Sequence, residues 1–182
     1  SRFHSYGCHY TRTTGIWQTV WLESVPKDYI SSLRFVPDPE NACLYVEVSL
    51  EGDVYGHILV LETFYNGKST GSASAKVTSF NTCLKVDVSE VHLWEPGNPN
   101  LYDIDVSLCK NDKCIDAVKS YFGLRTVALS DNAILINGKP VFQRLVLDQG
   151  FYPDGIYTAP TDEDLRRDIE ISMSLGFNGA RL

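Results

Sequence analysis

Leu44-Tyr45-Val46-Glu47-Val48-Ser49-Leu50 alternates apolar and polar residues without interruption. That is the period of two of a strand with one face buried. Before it, Ser32-Leu33-Arg34-Phe35-Val36 alternates as well, and Pro37-Asp38-Pro39 is expected to break the run. After it, residues 56–65 predict a strand closed by Asn66-Gly67, a strong hairpin signal. The small polar run 69–76 reads as an edge strand. Leu84, Val86 and Val88 alternate again. Ile104, Val106 and Leu108 then face one way while Asp103, Asp105 and Ser107 face the other, and residues 115–121 return. About seven short strands between turn signals predict a mainly β chain built on an immunoglobulin-like β-sandwich over residues 27–129.

The pattern changes beyond residue 129. Ala133-Ile134-Leu135-Ile136 and residues 141–147 flank Asn137-Gly138-Lys139-Pro140, predicting a second hairpin whose Asn-Gly pair takes the positive φ of a type I′ turn. A loop rich in Gly, Pro, Asp and Tyr covers 148–160. Thr161-Asp162-Glu163-Asp164 opens a helix, with Thr161 or Asp162 as N-cap and acidic side chains at the positive end of the dipole. Leu165, Ile169 and Met173 recur at i, i+4 and i+8, and Gly176 is the expected C′ residue. Residues 177–182 begin a further strand. Hairpin, loop, helix and strand look like the opening of an α/β domain. At the front, Gly15-Ile16-Trp17-Gln18-Thr19-Val20-Trp21-Leu22-Glu23 reads as one aromatic-rich strand. A segment this short buries no core of its own, so it is expected to end an upstream β-domain. Without an initiator Met or a signal peptide, the chain is expected to be a processed or excised piece. The compartment stays open, with cytoplasm preferred over periplasm.

Composition narrows the partners. The 182 residues carry a net charge of −7 and no Lys/Arg block, so no nucleic-acid partner is expected. No apolar run approaches the ~18–20 residues of a membrane helix, and no membrane partner is expected. With 43% hydrophobic and 21% charged residues the chain is not of the disordered class. Five cysteines show no C-x-x-C spacing, which argues against a zinc ribbon or a disulfide scaffold. Cys109-Lys110-Asn111-Asp112-Lys113-Cys114 reads as a hairpin turning at Asn111-Asp112, with Cys109 opposite Cys114. Its cross-strand Cβ separation of ~4.5–5.5 Å is near disulfide range, and two free thiols on the outer face are the alternative. His4, His9, His57 and His92 form no zinc motif, and the proximity of His4, Cys8 and His9 is not a metal spacing. No metal or other cofactor is expected. Neither G-x-S-x-G nor a Gly-rich phosphate loop occurs.

Three segments in order resemble glycoside hydrolase family 2, the group of β-galactosidases, β-glucuronidases and β-mannosidases. Residues 14–22 are similar to the strand closing that family's amino-terminal jelly-roll. Leu93-Trp94-Glu95-Pro96-Gly97-Asn98-Pro99-Asn100-Leu101-Tyr102 is similar to the L-W-x-P…P-x-L-Y signature of its sandwich domain. Tyr121-Phe122-Gly123-Leu124-Arg125, Ile136-Asn137-Gly138-Lys139-Pro140-Val141 and Leu175-Gly176-Phe177-Asn178-Gly179-Ala180-Arg181 resemble the start of its (β/α)8 barrel. The resemblance implies a stray jelly-roll strand within residues 1–26, the sandwich over 27–129, and the truncated start of a TIM barrel over 130–182. It implies a retaining hydrolase of terminal β-glycosides, with a carbohydrate substrate and the sandwich as a spacer.

Local chemistry gives several of these residues structural work. Trp94 is expected to lid one end of the sandwich, while Pro96 and Pro99 block strand pairing. Tyr102 has the placement of a tyrosine corner. Arg125 reads as a satisfied interdomain charge rather than a ligand. Arg181 differs. The resemblance implies a second barrel strand at 177–182, with Arg181 at its carboxyl end beside the nucleophilic carboxylate, helping to keep it ionised. Asp148 is the other substrate-side candidate, with a loop-capping role as its alternative. The run Leu145-Val146-Leu147-Asp148-Gln149 departs from the family's usual G-V-N-x-H-like run, altering the polar groups of the first barrel strand.

A retaining glycosidase needs two carboxyl groups ~5–5.5 Å apart. In the resembled family both are glutamates on later barrel strands, so they are expected beyond Leu182 and the chain alone is expected to be inactive. Asp103 with Asp105, and Asp162-Glu163-Asp164, read as solvated charge. The rival reading is a stand-alone carbohydrate- or protein-binding module using Tyr55, Tyr65, Trp94, Tyr152 and Tyr157. Cut surfaces at both ends also predict self-association, with the ends folding back onto the sandwich as the alternative.

Overall fold

The computed structural model describes residues 9–16 and 18–182. It resolves into two compact units, Ser24–Phe142 and one made of Gln143–Leu182 with the described residues up to Glu23. The larger unit begins with β1 (Tyr29–Asp38), β2 (Cys43–Glu51), β3 (Ile58–Tyr65), β4 (Lys68–Lys76) and β5 (Asn81–Asp87). Two-residue ladders β6 (Trp94–Glu95) and β7 (Asn98–Pro99) lead into β8 (Tyr102–Lys110) and β9 (Lys113–Phe122). A three-stranded sheet of order β1-β2-β5 and a four-stranded sheet of order β4-β3-β8-β9 form the sandwich, every pair antiparallel. One face of each strand makes the core. Leu44, Val46, Val48 and Leu50 from β2 meet Leu59, Leu61, Ile104, Val106 and Leu108 in one buried cluster. The alternation in sequence is therefore the alternation in burial.

Turn chemistry follows the residues. Asn66-Gly67, Asn111-Asp112 and Asn137-Gly138 all hold positive φ at both positions, as two-residue hairpins require. The expected break at Pro37 does not occur. β1 runs through it, with Pro37 opposite Leu44, because β1 is an edge strand and needs no N–H on its open side. Pro99 also stays in a ladder, opposite Trp94, and the Trp94 N–H donates instead to the Leu124 carbonyl at 2.9 Å. The expectation that it blocks pairing is thus corrected.

Tyr102 is a tyrosine corner. Its buried hydroxyl donates to the Glu90 carbonyl at 2.7 Å and accepts from the His92 N–H at 2.7 Å. At the opposite end of β8, a buried His57 bonds Asp28 through Nε2 at 3.2 Å. Asp28 also accepts the Asp53 N–H at 2.8 Å and lies 3.6 Å from Lys110 Nζ. The Asp53 N–H foremost, with His57 and Lys110 after it, holds the Asp28 carboxyl below the ordinary aspartate range.

The larger unit continues into a small sheet of order β10 (Val127–Leu129), β11 (Ile134–Ile136) and β12 (Lys139–Pro140). The second hairpin thus forms, but its return arm is β12 and not residues 141–147. Trp94 joins this sheet to the sandwich. Its carbonyl accepts from Asn137 Nδ2 at 2.9 Å, and a Cβ added to Gly123 would lie 3.2 Å from its own Cβ. The Arg125 guanidinium sits 4.4 Å over its ring. The Arg125 guanidinium is thus satisfied by an aromatic face.

In the smaller unit, β13 (Leu145–Leu147), α1 (Asp162–Ser174) and β14 (Gly179–Arg181) form a strand–helix–strand unit. β13 and β14 pair in parallel, Leu145 with Gly179 and Leu147 with Arg181. Thr161 is the N-cap, accepting the Asp164 N–H at 3.2 Å, and Gly176 follows the C-cap Leu175. Leu165, Ile169 and Met173 remain 49%, 61% and 64% exposed, so the helix's apolar stripe is uncovered. The strand expected over 15–23 is absent among the described residues, Trp17 lying outside them. A strand needs a hydrogen-bonding neighbour, and Val20, Trp21 and Leu22 stand exposed with no ladder partner among the described residues. His4 and Cys8 also lie outside the described residues.

Candidate active-site edge and family

The parallel β13–β14 pair places two expected site residues at the same end. Asp148 directly follows β13, and Arg181 ends β14. The Asp148 N–H donates to the Arg181 carbonyl at 3.0 Å, extending the ladder by one step. Asn178 fixes the opposite end of β14. Its side-chain oxygen accepts the Arg144 N–H at 2.9 Å, and its own N–H donates to the Arg144 carbonyl at 3.0 Å. Both carboxyl-terminal strand ends are thereby held at one edge.

Asp148 folds its carboxylate back on the loop, Oδ1 accepting the Gly150 N–H at 2.8 Å. That is an Asx turn, so the loop-capping role is present. Beyond it, Tyr152 and Ile156 exchange backbone hydrogen bonds of 2.7 and 3.1 Å. The Tyr152 hydroxyl donates to Asp168 Oδ2 at 2.9 Å, tying the loop to α1, and this contact pushes its phenol above the usual tyrosine value. Phe151 stacks on Tyr10 with ring centres 4.8 Å apart and meets Tyr157 edge-on at 6.2 Å.

These elements enclose an open cavity of about 680 Å³ whose walls include Trp21, Asp148, Gln149, Tyr152, Tyr157 and Leu165. Aromatic rings beside one carboxylate and one amide suit a polyhydroxylated ligand, whose CH faces stack while its hydroxyls bond. Asp148 lines the cavity, and the residues forming its wall do not include Arg181. Arg181 is exposed, linked to Asp148 through backbone only. Trp21, which the sequence places in an expected strand, instead lines the cavity from a segment outside any ladder among the described residues.

The other aromatic candidates do not converge. Tyr55 meets Phe80 at an interplanar angle of 75°, which gives no flat platform. Tyr65 stacks on His92 at 4.0 Å and spends its hydroxyl on Asn100 at 2.7 Å. Trp94 lies beneath Arg125. Among the described residues, no helix is long and apolar enough to cross a membrane.

Known proteins resemble this chain in sequence and in fold. The chain is 26% identical over 175 residues to a putative β-glucuronidase of Formosa agariphila, covering 92% of the chain and 21% of that protein. It is 27% identical over 186 residues to a β-galactosidase of Leuconostoc mesenteroides, covering 94% and 18%. The chain thus spans about a fifth of the length of the curated relatives it matches. In fold it is similar to a β-glucuronidase of Ruminococcus gnavus solved with a C6-substituted uronic isofagomine. That TM-score is 0.71 at 20% identity, over 86% of the chain and 26% of the other. A Bifidobacterium dentium β-glucuronidase complexed with coumarin-3-O-glucuronide gives 0.72 at 22%, over 85% and 27%. Residues 29–125, more than half of the chain and the whole of the sandwich, match the family described as glycosyl hydrolases family 2, and the chain belongs to it.

Proposed function

We propose that the chain is part of a retaining glycosidase acting on terminal β-glycosides. Residues 27–129 would supply the sandwich, 130–182 the start of the (β/α)8 barrel, and 1–26 the end of a jelly-roll. The observation that carries the reading is the parallel β13–β14 pair with Asp148 and Arg181 at its carboxyl-terminal edge, the edge that bears chemistry in such barrels. The aromatic-walled cavity beside Asp148 supports a carbohydrate substrate. Names of relatives point to a galactoside or a glucuronide.

In this reading Arg181 acts through charge. A guanidinium beside the nucleophilic carboxylate favours its ionised form, which is the form that attacks the anomeric carbon. Asp148 shapes the first-strand loop and offers an acceptor to a sugar hydroxyl. The sandwich acts as a spacer. Its end is lashed to the β10–β12 sheet by Trp94, Arg125 and Asn137, which is what a rigid mount requires. Asp148 is the one acidic side chain among the described residues lining the cavity, whereas retaining hydrolysis needs two. The chain alone is therefore proposed to be inactive.

The test uses chromogenic β-galactosides and β-glucuronides with the full product of the natural gene and with this chain. The full product should hydrolyse one of them with retention, and Arg181→Ala should lower kcat by roughly 100-fold or more. The 182-residue chain should give no turnover above buffer. Activity in the chain alone, or none in the full product on any terminal β-glycoside, refutes the proposal.

A further inference from the structure

The β8–β9 hairpin carries a feature that glycoside chemistry does not use. Its turn is two residues long, with Asn111 at φ 50° and Asp112 at φ 61°, and Lys110 pairs with Lys113 around it. One step further out, Cys109 lies directly opposite Cys114. Just beyond this pair the register shifts by one residue, between Leu108 and Cys109, with Ile115 the extra residue on β9. In a two-residue hairpin the closing pair is hydrogen-bonded and the next pair is the non-hydrogen-bonded kind, with Cα atoms ~4.5 Å apart. That falls inside the ~4.4–6.8 Å a disulfide spans. Opposed residues project to the same face of the sheet, which brings the two thiols together.

We propose that Cys109 and Cys114 form an oxidisable dithiol, a site at which a low-molecular-weight disulfide such as oxidised glutathione closes a cross-strand bond. The two thiols are unequal. Cys114 is exposed, its S–H donating to the Asp116 carbonyl at 3.3 Å, whereas Cys109 is half-buried. Burial first, and then the neighbouring Cys114 sulfur, push the Cys109 thiol up. Exposure therefore assigns the order of events. The Cys114 thiolate attacks one sulfur of oxidised glutathione, forming a mixed disulfide and releasing one glutathione thiolate. Cys109 then loses its proton to solvent and attacks the Cys114 sulfur, expelling the second glutathione. Two protein thiols are oxidised, one glutathione disulfide is reduced to two thiols, and no other reactant is needed.

Closure has a place to act. Asp116, two residues beyond Cys114, accepts the Ile30 N–H at 2.8 Å and so ties β9 to β1, while Lys110 Nζ lies 3.6 Å from the Asp28 carboxylate. A bond at Cys109–Cys114 staples the end of the hairpin that carries both contacts. The contrast within the molecule is Cys83, exposed on β5 opposite Glu47, and Cys43, fully buried. Neither faces another cysteine among the described residues.

The test is incubation of the native chain with oxidised glutathione, followed by mass mapping of peptides. The expected product has lost two hydrogens across the 109–114 peptides and holds no glutathione there, while Cys83 keeps its adduct. Cys109→Ser should trap a stable glutathione adduct on Cys114. Cys114→Ser should leave Cys109 a thiol. Amide exchange at residues 110–113 should slow on oxidation and recover with reductant. Persistent glutathione on Cys114 in the wild-type chain, unreacted thiols at both positions, or pairing with Cys83 or another molecule overturns the proposal.

Discussion

Replacing Tyr102 by Phe removes one oxygen and leaves the packing in place. The ring is fully buried, stacked on Phe122 at 5.0 Å and tilted against Tyr65 at 5.1 Å, and Phe keeps those contacts. What goes is the pair of 2.7 Å hydrogen bonds to the Glu90 carbonyl and the His92 N–H. Each bond nets about 0.5–1.5 kcal/mol, and a buried group left unpartnered costs about 1–3 kcal/mol. Two half-buried backbone groups lose their partner together, so we expect a loss of about 2–3 kcal/mol. With a urea m-value of roughly 2 kcal/mol/M, the midpoint should fall by about 1 M at unchanged m. Urea titration of the whole chain followed by circular dichroism reads this directly. Tyr65→Phe is the matched control. It loses a single 2.7 Å bond to the Asn100 side chain at a more open position, where water can replace the hydroxyl, and should cost under about 1 kcal/mol. A Tyr102→Phe loss below about 0.5 kcal/mol, or losses equal at the two sites, would refute the assignment of the corner's strength to its hydroxyl.

Three further outcomes are expected. Gly71→Ala places a Cβ 2.1 Å from the Asp87 carbonyl oxygen, so β4 must move. The unfolding midpoint should drop by the equivalent of about 1–3 kcal/mol or more, and an unchanged midpoint would deny the close approach. The Asp28 carboxyl titrates lower folded than unfolded, so its stabilisation is complete above the ordinary value of about 3.9 and is lost as pH falls through the folded value. Asp28→Asn should therefore flatten the acid limb of stability below about pH 4, and an unaltered limb between the two proteins counts against it. Thr161→Ala removes the N-cap of α1 and should cost about 1 kcal/mol locally, seen as faster amide exchange in the first helical turn. Equal exchange rates in the two proteins would show that the cap bears no load.

The sandwich strands, the helix and the tight turns were legible because each is written in nearby residues. Val46 and Val48 face inward since a strand's side chains alternate, and no distant residue changes that. Thr161 caps α1 because a hydroxyl reaches an N–H three residues on, and Asn137-Gly138 turns because both residues tolerate positive φ. The hairpin register that sets Cys109 opposite Cys114 was legible for the same reason. Asp148 and Arg181 are site candidates only through the family resemblance. Their nearness in space follows from a parallel pairing that no local pattern announces.

The tertiary structure alone decided the remaining pairings. Residues 15–23 carry the alternation of a strand, yet those described have no ladder. Residues 141–147 carry the pattern of a hairpin arm, yet Lys139 and Pro140 take that pairing and Leu145–Leu147 pairs with a segment beyond the helix. Arg125 settled on Trp94, and His57 on Asp28, across 31 and 29 positions of chain. The physical reason is common to all. Side-chain periodicity is fixed by the backbone geometry of a few residues, whereas a free N–H, a carbonyl, a guanidinium or an imidazole is satisfied by whatever the packed chain brings within about 3–4 Å.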